Sequence, residues 1–429
     1  MGMNTILVGM TIGLLLLALP AAASDYTLGV FGNANEDDTI NMQDVTYTEL
    51  IILEYRDETE LSDAKYDGKI NMQDVTQIEL VILGNAKEIT FMDVTGEAET
   101  VEKPVNRIII VMSDAPDVLR ALDAEDKIVG ITDQVIRYGD AYFPEISKLP
   151  FVGKWGDIDY EAVLNLQPDV FIPYTPHATS ESVWPSVRQQ KAELKEKLPG
   201  VSIVALDFVT PVTFTENVRK LGYILDREDE AEVYTDWYDA LIDTIGDQTE
   251  ELSEGEKTRA YTMTYGMYKT GIPGSRYHAM IDIAGGRNIA ADLPIPPGGS
   301  TTSVTVDAEW VIVQNPDVIV RRVMEDPTKV GYGVDDPAEL IAFREEVMNL
   351  PELVNVNAVN NGRVYSMSVF MTGPKCIIGI AYYAKWFYPE LFEDMDPQAI
   401  HQEYLTEFQG LDYDLDEHGV FVYPPLEES

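Results

Sequence analysis

The apolar positions along the chain follow one pattern over most of its length. From about residue 88 to about residue 400, short apolar runs alternate with stretches of helical periodicity. Short apolar runs bounded by polar turns are typical of buried strands, and their alternation with helices is typical of α/β lobes with parallel sheets. The strands expected in the first series are 107–112, 127–131, 169–173 and 202–206, and those in the second are 259–265, 317–322 and 363–366.

A longer helical stretch separates the two series of strands. From about Glu228 to Leu252, apolar and aromatic residues recur at helical spacing, while the other face is acidic. We interpret the aromatic stripe as core. The pattern therefore predicts two Rossmann-like lobes, at 87–212 and 257–429, joined by a single long helix within a connecting region at 213–256. The recurring residues are Ala231, Tyr234, Trp237, Tyr238, Leu241, Ile242 and Ile245.

The two series of strands also share a short motif. Glu161 precedes Pro168-Asp169-Val170 by seven positions, and Glu309 precedes Pro316-Asp317-Val318 by the same seven. Each glutamate is expected near the start of a helix that leads through a Pro-Asp turn into a buried strand. Carboxylates at that point are favoured by the helix dipole, which is one explanation. The other is a pair of matching surface carboxylates, one on each lobe.

A duplicated polar loop precedes the lobes. The hexapeptide INMQDV at 40–45 recurs at 70–75. Oxygen ligands are available at positions 1, 3, 5, 7, 9 and 12 of a twelve-residue loop around the first copy, and at the same positions except position 3 around the second. Calcium takes about six to eight oxygen ligands, and this spacing wraps the chain around one ion. Loop one offers Asn33, Asn35, Asp37, the Thr39 carbonyl, Asn41 and Asp44, and loop two offers Asp63, Asp67, the Lys69 carbonyl, Asn71 and Asp74.

The loops depart from the calcium pattern in two places. Asp38 occupies position 6 of loop one, where a sharp turn prefers glycine, although aspartate tolerates a positive φ. Lys65 replaces an oxygen ligand in loop two, so weaker calcium binding is expected there. Ile40 and Ile70, at position 8, are expected to pair the two loops, and a short helix should follow each loop.

Residues 25–86 resemble a type I dockerin, a small all-α module with a duplicated calcium loop. The resemblance implies calcium in the loops and docking of a cohesin-like protein partly through loop positions 10 and 11. Those positions are Met42 and Gln43 in one repeat and Met72 and Gln73 in the other, so the two repeats present identical residues. A calcium-stabilised spacer without a partner is the alternative.

The remainder resembles the class III solute-binding proteins of ABC importers, a family that takes up iron–siderophore complexes, haem and vitamin B12. The resemblance implies a ligand in the cleft between the lobes, and docking of Glu161 and Glu309 onto arginines of a permease that works with an ATPase. It is carried by VEKPVNRIIIV at 101–111, LDAEDKIVG at 122–130, the segment 156–170 ending LNLQPDV, IAGGRNI at 283–289 and AEWVIVQNPDV at 308–318.

Candidate ligand contacts lie at the expected strand ends and in the loops after them. Aromatic side chains suit a flat macrocycle or a catecholate, and guanidinium groups suit carboxylates or phosphates. Salt bridges, rim positions and a structural histidine are the alternatives. The candidates are Ser113, Asp114, Trp155 and Tyr174 in the first lobe, and Tyr265, Tyr268, Arg276, His278, Arg321, Arg322 and Met371 in the second.

Composition narrows the class of function. The chain has 74 acidic and 30 basic residues, and its net charge of -44 argues against nucleic-acid binding and fits an extracellular protein. Residues 1–24, with an apolar run at 5–23, resemble a secretory signal; an uncleaved anchor is the alternative. The single cysteine, Cys376, is expected to be a buried small hydrophobe.

These observations predict a binding protein rather than an enzyme. The sequence contains no nucleophile elbow, zinc-protease motif or phosphate-binding glycine loop. The expected function is an extracytoplasmic receptor that captures an iron–siderophore or related metal chelate and delivers it to an ABC permease. A corrinoid or haem receptor is one alternative. A cell-surface interaction protein, tethered through a dockerin–cohesin contact, is another.

Overall fold

The computed structural model describes residues 26–137, 139–175, 184–294, 303–323 and 327–426. The segment expected to be a signal or an anchor lies outside these ranges. Within them, no helix combines the length and the apolar character that crossing a membrane requires.

The duplicated loops each lead into a helix, as expected. α1 (Met42–Ile52) and α2 (Met72–Ile82) begin directly after the asparagine of each hexapeptide. Asn41 and Asn71 cap these helices, and Asp44 and Asp74 accept a hydrogen bond from the backbone of the capping residue. Both repeats therefore hold a reciprocal capping box, which satisfies backbone N–H groups that a helix start leaves unpaired. The hairpin of β1 (Glu88–Met92) and β2 (Ala98–Glu102) follows.

The first lobe contains a four-stranded parallel sheet. Its order is β4 (Ile128–Ile131), β3 (Ile108–Ile110), β7 (Val170–Ile172) and β8 (Ser202–Ile203). Ile108, Ile109 and Ile110 of its inner strand are fully buried, which explains the unbroken apolar run. The expected strands are present, although the last ends at Ile203. The elements are β3 (Ile108–Ile110), α3 (Asp114–Ala121), β4 (Ile128–Ile131), α4 (Asp133–Ile136), α5 (Gly139–Tyr142), β5 (Gly153–Lys154), β6 (Asp157–Ile158), α6 (Tyr160–Asn165), β7 (Val170–Ile172), α7 (Trp184–Lys197) and β8 (Ser202–Ile203).

A helical connection leads from the first lobe to the second, through α8 (Phe214–Leu225) and the long helix α9 (Glu228–Thr249). The expected aromatic stripe is core, since Tyr234 and Tyr238 are fully buried. The Tyr238 hydroxyl lies 2.9 Å from the thiol of Cys376, which is itself buried as expected.

The second lobe contains a five-stranded sheet that is parallel except for its last strand. Its order is β11 (Arg287–Asn288), β9 (Arg259–Met263), β13 (Val318–Val323), β14 (Val364–Ser368) and β15 (Val422–Tyr423). The three strands expected here are present as β9, β13 and β14. The elements are β9 (Arg259–Met263), β10 (Lys269–Gly271), α10 (Arg276–Ile283), β11 (Arg287–Asn288), β12 (Ser303–Thr305), α11 (Ala308–Gln314), β13 (Val318–Val323), α12 (Ala338–Met348), α13 (Asn357–Asn360), β14 (Val364–Ser368), α14 (Cys376–Phe387), α15 (Pro397–Glu403) and β15 (Val422–Tyr423).

The duplicated-loop module is packed onto the first lobe and the connecting helices. Val30 forms a bridge with Phe91 of β1. The backbone N–H of Ile40 donates to the Tyr223 hydroxyl of α8 at 2.8 Å, and Arg219 of α8 pairs with Asp38 at 3.1 Å. Apolar residues of the module and of both lobes belong to one continuous core. The module is therefore part of the same packed body as the lobes.

A buried ion pair joins the two lobes. The ammonium group of Lys375, just before α14, contacts the carboxylate of Asp117 in α3, and both side chains are almost completely buried. Tyr142 of the first lobe accepts a hydrogen bond from Lys375 at 3.2 Å and stacks on Tyr332 of the second lobe at 4.3 Å. Gln409 donates to the Asp117 carbonyl at 3.1 Å. The C-terminal segment thereby takes part in the junction.

We expect Lys375→Met to lower the free energy of unfolding by about 3–5 kcal/mol, because it leaves the Asp117 carboxylate buried without a counter-charge. Urea unfolding followed by circular dichroism measures the loss. The matched control is Lys257→Met, which removes an exposed pair with Glu254 and should cost at most about 1 kcal/mol. Equal losses in the two variants would contradict the role given to the buried pair.

Candidate functional site

The carboxyl ends of the parallel strands of both lobes carry most of the predicted site residues. β3 leads to Ser113 and Asp114, β7 to Tyr174, β9 to Tyr265, and β14 to Met371. Loops at this edge are where α/β sheets bind ligands, because the strands end together there and the following loops diverge.

One contact links the two sides of the cleft. Arg276, in the first turn of α10, donates from Nη2 to the Tyr174 hydroxyl at 3.4 Å. Burial raises the pKa of Tyr174 to about 12, and that of Asp114 to about 6, although the Arg276 guanidinium opposes both shifts. The structure thus brings together Asp114, Tyr174 and Arg276, three residues that the sequence proposed separately.

Gly373 of the second lobe lies directly against Asp114 of the first lobe. Its φ is +63°, and a Cβ at this residue would lie only 2.2 Å from Asp114 Oδ1. A side chain is therefore excluded both by the backbone conformation and by the approach of the carboxylate. On the first-lobe side, Asp114 and Tyr174 help to line a cavity of about 10 Å³. This cavity, lined by first-lobe residues, is large enough only for about one water molecule.

Arg322 is a fully buried cation with neutral partners. Its Nη2 donates to the Met371 carbonyl at 3.1 Å, its Nη1 contacts Met367 Sδ, and its Nε has no hydrogen-bond partner. No carboxylate among the described residues pairs with it. The ring of Tyr277 lies 5.9 Å from the Arg322 guanidinium and 5.6 Å from that of Arg276. Two guanidinium groups therefore flank one aromatic ring.

Arg321 and Arg322, two adjacent candidates for ligand contact, have different surroundings in the structure. Arg321 donates from Nη1 to the Thr264 carbonyl at 2.8 Å, and its guanidinium lies 4.5 Å from the ring of Phe343 in α12. Successive side chains of a strand project to opposite faces of the sheet. Arg321 consequently faces α12, whereas Arg322 lies beside Tyr277 with Arg276.

Two predicted aromatic residues form a partly exposed rim. Trp155 is 54% exposed and Tyr265 is 52% exposed. The turn between β5 and β6 positions Trp155, whose backbone N–H donates to Asp133 at 2.9 Å. The Trp155 ring meets that of Tyr174 edge-on, with ring centres 6.5 Å apart. The rim is therefore continuous with the Arg276 cluster.

Other candidates are engaged within the second lobe. The Tyr268 hydroxyl donates to Glu352 at 2.8 Å. One ring nitrogen of His278 lies 3.1 Å from the Asn288 amide, and the other lies 3.0 Å from Asp282. These contacts place neither side chain with the Arg276 cluster. Ser113 is buried before α3, and Met371 contributes its carbonyl to Arg322.

Sequence reasoning missed Tyr277 and the junction between Asp117 and Lys375. Tyr277 stands between two selected residues, Arg276 and His278, and its aromatic character was the available signal. The ion pair joins residues 258 positions apart. No local pattern marks a contact over that separation.

The side-chain oxygen of Asn33 in loop one is buried and accepts no hydrogen bond. Asn33 is fully buried, its Nδ2 donates to the Leu28 and Asp37 carbonyls, and its Oδ1 has no hydrogen-bond partner. Asp44 accepts from the backbone N–H groups of Asn35 and Asn41 at 3.2 and 2.8 Å. Burial raises the pKa of Asp44 to about 6, and the Asp37 carboxylate adds to the shift. The unpaired Asn33 Oδ1, at position 1 of the loop, therefore fits the role of a cation ligand.

Loop two differs from the expectation for Lys65. Its ammonium group lies 3.2 Å from Glu88 of β1, so the charge is directed to the hairpin, while its backbone N–H donates to Asp74. The backbone N–H of Gly68, at position 6, donates to Asp63 at 2.7 Å. The Lys65 ammonium group is thus directed away from the loop, while position 3 still lacks an oxygen-bearing side chain.

Two further details of the loops correct the sequence reading. The positive φ in loop one is at Glu36 (59°), not at Asp38, whose carboxylate is directed to Arg219. Ile40 and Ile70 form no bridge among the described residues, because the Tyr223 hydroxyl accepts the hydrogen bond of the Ile40 N–H.

The described residues hold no group of three or more histidine, cysteine or acidic side chains placed to bind a metal.

The residues predicted to dock partners are at the surface. Met42 and Met72 are 59% and 56% exposed, and Gln43 and Gln73 beside them are also exposed. Glu161 and Glu309 are exposed at the starts of α6 and α11, on separate lobes.

Similarity to known proteins appears at the level of family, sequence and fold. A family model for periplasmic binding proteins matches residues 108–368. YvrC of Bacillus subtilis, an uncharacterized ABC transporter substrate-binding lipoprotein, is 24% identical over 315 residues, 71% of this chain and 87% of the relative. A cobalamin-binding protein of Halobacterium salinarum is 25% identical over 246 residues, 56% of this chain and 59% of the relative. The crystal structure of the TroA-like periplasmic binding protein FepB from Veillonella parvula shares the fold, with a TM-score of 0.62, 23% identity, and coverage of 78% of this chain and 98% of that one.

We expect Asp114→Asn to flatten the pH dependence of stability between about pH 4 and pH 6. Because the folded pKa, about 6, exceeds the ordinary value of 3.8, the neutral acid is stabilising below pH 3.8, and this contribution is lost as the pH rises through 6. Urea unfolding at a series of pH values should show the wild type losing about 1–3 kcal/mol relative to the variant. Asp157→Asn, in the exposed hairpin, should keep the wild-type slope; an unchanged slope in Asp114→Asn would contradict the assignment.

Proposed function

Since the chain belongs to the periplasmic binding protein family, we propose that it is the extracytoplasmic solute receptor of an ABC importer. The observation that carries the proposal is the cluster of Asp114, Tyr174 and Arg276, which gathers polar side chains of both lobes at their strand ends. Capture between lobes and delivery to a permease require no covalent chemistry. The family consists of binding proteins rather than enzymes.

The charge of the cluster supports an anionic solute. Burying a guanidinium group without a counter-charge costs several kcal/mol, so such groups persist where something offsets the cost. Arg322 has only neutral partners among the described residues. Asp114 is the carboxylate whose charge acts on Arg276, and burial raises the pKa of Asp114 to about 6. A carboxylate or phosphate on the solute would supply the missing charge through paired hydrogen bonds.

The aromatic rim supports a solute with a flat face. Trp155 and Tyr265 are about half exposed beside the buried arginines, and aromatic rings bind flat surfaces at low entropic cost. A corrinoid combines a flat macrocycle with a phosphodiester, and one relative is named for cobalamin binding. We therefore place a corrinoid first among metal chelates that carry an anionic group. A ferric siderophore, the first expectation from the sequence, is the second candidate.

Substitution of the arginines tests this assignment. We expect Arg276→Met and Arg322→Met each to weaken solute binding by about tenfold or more, because an anionic group loses a charged hydrogen bond. Tryptophan fluorescence titrations with cobalamin and with a ferric catecholate siderophore measure the dissociation constants. The matched control is Arg287→Met, an exposed arginine 3.7 Å from Asp292, which should bind as the wild type does.

The outcomes of these titrations separate the candidates. Saturable binding of cobalamin that weakens in Trp155→Ala supports the corrinoid, and binding of the ferric catecholate alone supports the siderophore. Mass spectrometry and the visible spectrum of solute that co-purifies provide an independent check. Equal binding by the arginine variants and the Arg287→Met control would contradict the anionic subsite.

We also propose that the N-terminal module is a calcium-stabilised, dockerin-like unit. The buried and unpartnered Asn33 Oδ1, at position 1 of loop one, supports a cation there. In loop two, burial raises the pKa of Asp74, and the charges of Asp63 and Asp67 add to the shift. Calcium would neutralise this repulsion. Met42, Gln43, Met72 and Gln73 would contact a cohesin-like partner, and a spacer without a partner is the alternative.

Calcium should raise the melting temperature of the whole chain. An ion that binds only the folded state at about one hundred times its Kd adds about 2.7 kcal/mol of stability. Calorimetry with calcium and with a chelator measures the effect, which should shrink in Asp37→Ala for loop one and in Asp63→Ala for loop two. Because the Asp44 carboxyl must ionise, calcium stabilisation should fall as the pH drops below about 6.

The control for the calcium experiment is Asp57→Asn, an exposed residue between the two loops. It should retain the full response to calcium. A melting temperature that is the same with calcium and with the chelator would exclude the cation sites, while the solute titrations would stand unaffected.

A further inference from the structure

The connecting helix α8 contacts loop one of the N-terminal module. The Tyr223 hydroxyl accepts from the Ile40 N–H at 2.8 Å and lies 3.3 Å from the Thr39 hydroxyl. Arg219 pairs with Asp38 at 3.1 Å. These loop residues occupy positions 6, 7 and 8, and the Thr39 carbonyl is one of the predicted cation ligands. The predicted cation site of loop one therefore lies directly against α8.

Loop two, a repeat of loop one in sequence, has different surroundings. Its positions 5, 6 and 7 are Asp67, Gly68 and Lys69, and all three are exposed. The ammonium group of Lys65 pairs with Glu88 of β1. Loop one is therefore the repeat in which a predicted cation ligand and the contacts to the connecting helix coincide.

The first turns of α8 hold a second loop, on the side of the candidate site. Asn217 is buried, and its Oδ1 accepts from the Asp207 N–H at 3.3 Å. The buried Asp207 carboxylate accepts from the N–H groups of Val209 and Thr210 at 2.7 and 3.2 Å. We name residues 206–210 the backing loop. Its conformation is therefore tied to α8 through Asn217.

The backing loop forms one wall of the small cavity beside Asp114 and Tyr174. Leu206, Phe208 and Val209 line this cavity together with those two residues. Protein interiors are close-packed, so a wall that shifts changes the space beside it. The position of the backing loop therefore affects the shape of the candidate site.

Helix α8 joins the two contacts as a rigid element. Ten of its twelve residues are buried. Asn217 and Tyr223 are six positions apart, which is about 9 Å along a helix. A packed helix shifts as a unit, because a close-packed interior does not deform continuously. A change in loop one can therefore reach the backing loop through α8.

We propose that loop one is a regulatory calcium site, whose occupancy orders the backing loop and thereby strengthens solute binding. The proposal rests on the proposed receptor function and on calcium binding by the N-terminal module. Asn33 Oδ1 is buried without a hydrogen-bond partner, and the charge of Asp37 acts on the buried Asp44. These groups fit a cation, which would fix Thr39 against Tyr223.

The direction of the effect follows from conformational entropy. A loop that is already ordered loses less entropy when the solute binds, so the solute binds more tightly. By linkage, the solute strengthens calcium binding by the same factor. Coupling between two sites commonly changes affinity by about fivefold or more.

Hydrogen–deuterium exchange of the full chain, with calcium and with a chelator, tests the coupling. Calcium should slow exchange in the peptide that covers 207–213 by about tenfold, because the Val209 and Thr210 N–H groups are hydrogen-bonded within the backing loop. Asp37→Ala, at position 5 of loop one, should abolish this protection. Asp67→Ala, at position 5 of loop two, is the matched control and should keep it.

A second variant leaves the cation ligands intact. Tyr223→Phe combined with Arg219→Met removes both side-chain contacts of α8 to loop one. Calcium should still raise its melting temperature but should no longer protect residues 207–213. The matched control combines Tyr66→Phe with Arg287→Met, an exposed tyrosine of loop two and an exposed arginine of the second lobe. It should behave as the wild type does.

Titrations with cobalamin and with a ferric catecholate siderophore measure the consequence for the solute. A solute that binds the wild type should bind about fivefold more tightly with calcium than with the chelator. In the Tyr223→Phe and Arg219→Met double variant, the two affinities should be equal. Equal affinities in the wild type would refute the regulatory role.

The remaining outcomes separate this proposal from those on which it rests. If calcium raises the melting temperature but leaves exchange at 207–213 unchanged, the regulatory role is refuted, while the calcium site and the receptor function stand. If calcium does not change the melting temperature, the cation site fails and the regulatory role fails with it. If neither solute binds, the receptor function fails for these solutes, and the exchange experiment still decides the coupling.

Discussion

The buried ion pair between Asp117 and Lys375 is the interaction on which the two-lobe arrangement depends. It joins the first helix of one lobe to the segment before α14 of the other. Tyr142 accepts a hydrogen bond from Lys375, and Gln409 donates to the Asp117 backbone carbonyl. A buried charge that loses its partner is strongly destabilising. The two lobes are thus joined at this point, one helical turn from Asp114 of the candidate site.

The charges near the strand ends differ in sign from the charge of the chain as a whole. The chain carries a net charge of -44, yet Arg322 pairs with no carboxylate among the described residues, and Asp114 is the acid whose charge acts on Arg276. In a buried site each guanidinium interacts with a bound group far more strongly than with distant surface acids, which water and salt screen. An overall acidic protein can therefore hold an anionic solute, and the same surplus of acid leaves carboxylates available for a basic partner.

Much of the fold could be predicted from the sequence because its signals are local. The strands at 108–110 and 318–323, the helix at 228–249 and the helices after the two loops all follow from short-range periodicity or capping residues. The site was predicted less completely. Asp114 and Tyr174 could be selected because they follow expected strands, and the structure brings them together with Arg276. Tyr277, between the selected residues Arg276 and His278, was missed.

The sequence by itself determined the repeated loops, the two series of strands and the paired motif that begins with Glu161 and Glu309. These depend on residue types at fixed short spacings. Only the tertiary structure decided that Arg321 faces away from Arg322, that Asp38 and Ile40 contact the connecting helix, and that Asp117 meets Lys375. The reason is physical: side-chain direction and long-range pairing depend on how elements pack, and no local pattern records which distant residue fills a neighbouring space.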